Sequence, residues 1–133
     1  MVEGVERVEV TYLDTHVLVR LYEGEIGRMS RAVQRSIETD EVLVSPAAVL
    51  EIELLHEIGR LHVNASRIVE ALAETLGLRV CDLPFSTVVQ YALKEGWSRD
   101  PFDRLIVAHA KANGAPLITK DERIHKHYRR AIW

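Results

Sequence analysis

Short apolar, β-branched runs alternate with longer stretches of helical period along this chain, and that alternation predicts its elements. Val8–Leu13 is a β-branched run ending in Asp14, so a first strand is expected over about 7–14 with a carboxylate at its C-terminal end. His16–Tyr22 follows at once as a short helix, and a second helix is expected around Ser30 to Thr39. Val42–Ser45 reads as a short buried strand. Pro46 then opens a helix through about Ile58, capped by Ser45 and stopped by Gly59. Asn64 caps a further helix to about Leu76, closed by Gly77. Leu78–Leu83 is a third strand, Phe85–Glu95 the helix after it, and Gly96–Ser98 a loop. Ala115–Thr119 is a fourth strand, followed by a polar turn holding Asp121, and Ala131–Trp133 is a fifth.

The best-punctuated element lies between that loop and the fourth strand. Asp100 suits the N-cap, Pro101 the first helical position and Gly114 the stop, while Phe102, Leu105, Ile106, His109 and Ala112 follow the spacing of a buried stripe. Asp103 is thereby held in the first turn. Its plainest role is the return partner of a capping box with Asp100. Strands alternating with helices point to βαβ units, an α/β class and a short parallel sheet, in which ligands bind beyond the carboxyl ends of the strands. Asp14 and Asp121 are both expected at such ends.

Composition narrows this further. With 133 residues, 47% of them hydrophobic, the chain fits one globular domain. It carries no apolar run of the roughly 20 residues needed to span a bilayer, and its acidic start does not resemble a signal peptide, so a cytoplasmic location is expected. The single Cys81 excludes an internal disulfide and is read as a core residue. The net charge of −3 conceals an asymmetry: residues 1–59 carry 12 acidic and 5 basic side chains, residues 60–133 carry 8 and 12. A basic C-terminal half suits an anionic partner.

Glu51 is the charged member of an expected apolar face formed by Ala47, Leu54, Leu55 and Ile58, so it needs a cation or a cleft. Glu53, on the opposite side, reads as solvent surface. Several carboxylates around one crevice repel each other unless a cation is present. Oxygen ligands without a cysteine or a well-spaced histidine pair select Mg²⁺ or Mn²⁺, and such ions suit a phosphoryl substrate and hydrolysis of a phosphodiester. An acidic site must also draw phosphate in, and Arg99, Arg104, Lys120 and Arg123 flank the acids in sequence as candidate phosphate contacts. There is no glycine-rich phosphate loop, no nucleophile elbow and no H-E-x-x-H.

Four stretches carry a family resemblance: Tyr-Leu-Asp-Thr-His-Val-Leu-Val (12–19), Val-Ser-Pro-Ala-Ala-Val-Leu-Glu-Ile (44–52) with Gly-Arg-Leu (59–61), Arg-Asp-Pro-Phe-Asp-Arg-Leu-Ile-Val-Ala-His-Ala (99–110) and Leu-Ile-Thr-Lys-Asp (117–121). In this order and spacing they resemble the PIN-domain family, and specifically its VapC toxins from type II toxin–antitoxin pairs. The resemblance implies a single PIN domain over 1–133, with a sheet of four to five parallel strands in a three-layer α/β/α arrangement. It implies an endoribonuclease using Mg²⁺ or Mn²⁺, dimeric, acting on RNA as a toxin and inhibited by a VapB-type antitoxin. Asp14, Glu51, Asp103 and Asp121 would be its acidic quartet, with Asp14 and Asp103 as metal ligands and Asp100 and Thr119 supporting them from behind. About a dozen residues precede Asp14, more than in many relatives, which leaves the start of the first strand open. The alternatives are a PIN nuclease for housekeeping RNA processing, a receiver-like Mg²⁺-binding signalling module, and a binding domain with an incidental acidic patch.

Overall fold

Strand β1 (Val10–Leu13) buries Thr11, Tyr12 and Leu13 in succession, so both of its faces are covered and it lies inside a layered structure. The computed structural model describes residues 9–133; the two residues of the expected first strand that precede these lie outside the described residues. Beside β1 run β2 (Glu41–Val44), β3 (Arg79–Val80), β4 (Leu117–Ile118) and β5 (Ala131–Ile132), all parallel, in the order β3-β2-β1-β4-β5. Helices α1 (Thr15–Tyr22), α2 (Arg31–Thr39), α3 (Pro46–Glu57), α4 (Ala65–Leu76), α5 (Phe85–Ala92), α6 (Pro101–Ala112) and α7 (Glu122–His127) flank the sheet, giving the expected α/β/α layering. Leu13, Leu18, Ile52, Ile106, Leu117 and Ile124 are among its fully buried side chains, drawn from both kinds of element.

The chain builds outward from β1 to β3, then returns to lay β4 and β5 on the other side. The strand order reverses at β1 and β4, and the crevice beyond their carboxyl ends is where such sheets bind ligands. In receiver-type sheets β1 neighbours β3 at this point. Here its neighbours are β2 and β4, which removes the receiver alternative.

Three local expectations are corrected. The third strand shrinks to two residues, because Cys81 leaves the ladder after its N–H reaches the Val44 carbonyl (2.8 Å). On α3 the face that enters the core is Ala48 and Ile52; Leu54 and Ile58 of the expected stripe point outward, Ile58 at 67% exposure. Glu53 is not plain surface, since its carboxylate accepts the Ala65 N–H (3.0 Å) and ties α3 to the start of α4. Cys81 is buried as expected, its Sγ 3.0 Å from the Tyr12 hydroxyl.

Candidate active site

Asp14 sits where β1 ends and α1 begins, and each carboxylate oxygen has its own task. Oδ1 accepts the Thr15 N–H (2.7 Å), capping α1, and Oδ2 accepts the Thr119 hydroxyl (2.6 Å). The Asp14 N–H is bonded to the Ile118 carbonyl (3.0 Å), so the ladder itself sets Asp14 beside Thr119. Thr119 is fully buried and its hydroxyl also accepts the Asp121 N–H (3.0 Å). One threonine thus joins the two aspartates at the ends of β1 and β4.

Asp121 lies in a helix cap where a polar turn was expected. Its Oδ1 accepts the N–H groups of Arg123 (2.8 Å) and Ile124 (3.2 Å) at the start of α7. The six residues of α7 are too few for a helical period to register in sequence.

From α3, Glu51 reaches the same crevice, where the Thr15 hydroxyl donates to its Oε1. Burial raises its pKa, as do the charges of Asp14 and Asp100, and the Thr15 bond offsets only part of this. Asp14, Thr15, His16, Arg20 and Glu51 are among the walls of a cleft of about 430 Å³.

Asp103 occupies the first turn of α6, and the way that helix is capped leaves its carboxylate available. Asp100 caps through Oδ1 to the Phe102 N–H (2.8 Å). A closed capping box would give the Asp100 N–H to Asp103. Instead Ser98 takes that N–H through its hydroxyl (3.1 Å). The Asp103 carboxylate has no hydrogen-bond donor among the described residues, and burial pushes its pKa up to about 7, with added repulsion from Asp100, Asp14, Asp121 and Glu51.

His16 was not singled out in the sequence. The Lys120 N–H donates to its Nε2 (2.9 Å), which assigns the lone pair there and the ring proton to Nδ1, 3.5 Å from Asp14 Oδ2. Burial lowers its pKa more than the neighbouring Asp14 raises it, so the neutral tautomer is favoured.

The four basic candidates divide. Arg99 is exposed just before Asp100, and Lys120 lines a second cleft of about 450 Å³ with His16, Arg20, Asp121 and Glu122. Arg123 donates to the Trp97 carbonyl (2.6 Å), its guanidinium 5.7 Å from that indole's centre. Arg104 is occupied within the fold, since its Nε and Nη2 both donate to the Ala92 carbonyl (3.2 and 3.0 Å). That carbonyl is the last of α5 and also accepts the Glu95 N–H (3.0 Å), so Arg104 braces the turn that ends the helix.

A divalent cation fits this donor set. Burial, and after it four neighbouring acids, raise the pKa of one carboxyl that no hydrogen-bond donor relieves, and a bound cation would offset that repulsion. Among the described residues no three His, Cys, Asp or Glu side chains are grouped closely enough to enclose an ion. A divalent ion can be held by one or two protein carboxylates, with water and phosphate oxygens completing its shell.

The PIN domain family model matches residues 11–130 of the chain. A curated relative, Ribonuclease VapC22 of Mycobacterium tuberculosis, is 33% identical over 121 residues, covering 86% of this chain and 89% of the relative. The fold is similar to solved structures of VapBC2 from Rickettsia felis bound to a promoter DNA fragment (TM-score 0.68, 15% identity, 92% of this chain and 96% of that one) and of a toxin–antitoxin complex from Klebsiella pneumoniae (TM-score 0.62, 14% identity, with the same coverage). It is also similar to VapBC-1 from nontypeable Haemophilus influenzae (TM-score 0.57, 19% identity, 91% of each chain).

Proposed function

The chain belongs to the PIN-domain family, and on that premise we propose that it is a divalent-metal-dependent endoribonuclease, the toxin of a VapB–VapC type toxin–antitoxin pair. The observation that carries this reading is Asp103, a half-buried carboxylate without a hydrogen-bond donor among the described residues, whose pKa is raised by burial and by the charges of Asp100, Asp14, Asp121 and Glu51. Mg²⁺, or Mn²⁺, is the cation we assign. The match to a ribonuclease supports RNA as substrate, and the VapBC neighbours support an antitoxin as partner. No described helix is long and apolar enough to cross a membrane, in keeping with action in the cytoplasm.

Asp14 and Asp103 are the residues that would hold the ion. When bound, it would lower the pKa of water and offset charge on the scissile phosphate. Thr119 holds Asp14 Oδ2, and with it the carboxylate's orientation, by a buried hydrogen bond that leaves little rotational freedom. Glu51 has one oxygen engaged by Thr15 and a raised pKa, so Oε2 is suited to take the proton from the attacking water. Asp121 and Asp100 keep the crevice acidic while capping their helices. Arg99 and Lys120 are the phosphate contacts best placed by exposure, with Arg123 behind them.

A homodimer is proposed on the face where Leu50 (55% exposed) and Phe85 line an apolar groove of about 400 Å³ with Pro46, Leu83 and Phe102. A surface without charge can meet itself across a two-fold axis without like-charge repulsion, so the occupant is a second copy. Light scattering of the wild type and of Leu50→Asp checks this, and a monomeric wild type refutes it.

The central test is cleavage of a fluorogenic RNA by the purified chain. Activity restored by Mg²⁺ or Mn²⁺ after EDTA treatment, and lost in Asp14→Asn, is the expected result. Full activity in EDTA overturns the metal assignment.

A further inference from the structure

Strand β5 runs beside β4 with Ile132 opposite Ile118, and the Thr119 N–H donates to the Ile132 carbonyl (3.0 Å). Trp133 therefore emerges at the same carboxyl end of the sheet as Asp14 and Asp121, one ladder position from the threonine that joins them. A large indole there remains 38% exposed. It is held by two residues of α1, with the His16 ring edge-on at 6.0 Å between centroids and the Arg20 guanidinium 5.6 Å from the indole centre. His16 is the ring whose Nδ1 faces Asp14 Oδ2, so the indole stands one side chain away from the acidic site. Arg20 lines both clefts beside that site and has no ion pair among the described residues. The other tryptophan is differently placed, since Trp97 is stacked on His127 (4.8 Å, 7° between planes) with Arg123 close by, which makes it a clasp between the α6 loop and α7.

Resting on the nuclease reading above, we propose that Trp133 is a stacking platform for one nucleobase of the RNA strand next to the scissile phosphate, and that Arg20 holds an adjoining phosphate. An exposed indole pinned by a cation loses little conformational freedom on stacking, and base–aromatic stacking tolerates any base because every base presents a π-face. The pairing of ring and guanidinium matches the alternation of base and phosphate along a single strand. A purely structural account makes the same contacts a clasp fastening the edge strand β5 to α1, and the two accounts differ over what the bases contribute.

The test uses the full chain carrying Asp103→Asn, so that the probe is not cut, and two probes: a mixed-sequence RNA hexamer and a hexamer of the same backbone without bases. Trp133→Ala should weaken the base-bearing hexamer about fivefold or more while leaving the abasic one unchanged, and Trp133→Phe should retain most of the difference. Arg20→Gln should weaken both probes and flatten the log–log salt dependence by about 0.7, the value for one phosphate contact on a single strand. In a Trp97→Phe chain, where Trp133 is the remaining tryptophan, the base-bearing hexamer should quench its fluorescence and the abasic one should not. Equal loss of both probes in Trp133→Ala, or no quenching, overturns the platform. Failure of the nuclease reading is read separately, as intact RNA after incubation with wild-type chain and Mg²⁺.

Discussion

Replacing Asp103 by asparagine tests the electrostatics of the crevice without touching its shape. The carboxyl is displaced from the usual 3.8 to about 7, chiefly by burial and then by Asp100, Asp14, Asp121 and Glu51. A carboxyl whose pKa is raised in the folded state adds stability that is fully present below 3.8 and is gone once the pH has risen through about 7. At about 1.4 kcal/mol per pH unit the full span is about 4 kcal/mol, and solvent screening of a half-buried group reduces it to about 2 kcal/mol. In EDTA the wild type should therefore lose about 2 kcal/mol between pH 4 and 8 that Asp103→Asn does not lose, on the order of 8 °C in Tm for a chain this long. Thermal unfolding followed by circular dichroism at pH 4, 6 and 8 measures it. Saturating Mg²⁺ at pH 8 should raise the Tm of the wild type and leave that of the variant nearly unchanged. Parallel pH profiles of the two proteins in EDTA would refute the idea that the four acids act on one another through Asp103.

Three further outcomes follow from particular bonds. Thr119→Val leaves Asp14 Oδ2 and the Asp121 N–H without their buried partner, so it should cost about 1–3 kcal/mol in urea unfolding and lower kcat more than it alters KM. Asp100→Ala removes an exposed cap, costing about 0.5–2 kcal/mol with a modest loss of rate, whereas Asp14→Asn should lower RNA cleavage by orders of magnitude and leave the fold in place. Lys120→Ala should flatten the salt dependence of RNA binding by about 0.7, while Arg104→Ala, whose guanidinium braces the end of α5, should lower Tm and leave that slope unchanged.

Much of the fold was legible because its signals are local. Pro46, Pro101, Asn64 and Gly77 mark helix ends by backbone chemistry that acts within a few residues, and each lies where it was expected; Gly77 adopts the left-handed φ of 69° that closes α4. The ends of β1 and β4, and so the positions of Asp14 and Asp121, follow from short apolar runs that stop at a polar residue. Tertiary structure decided what those residues do, because that depends on neighbours remote in sequence. Asp103 is free because Ser98, on the preceding loop, takes the amide it would otherwise cap. Arg104 is occupied because the end of α5 comes to lie beside α6, and Glu53 is bound because α4 folds back onto α3. Helical periodicity alone placed Leu54 and Ile58 inward, since period gives the width of an apolar face and only packing selects the side that meets the sheet. The same holds for Trp133 and Arg20, separated by most of the chain and brought together by the pairing of β5 with β4.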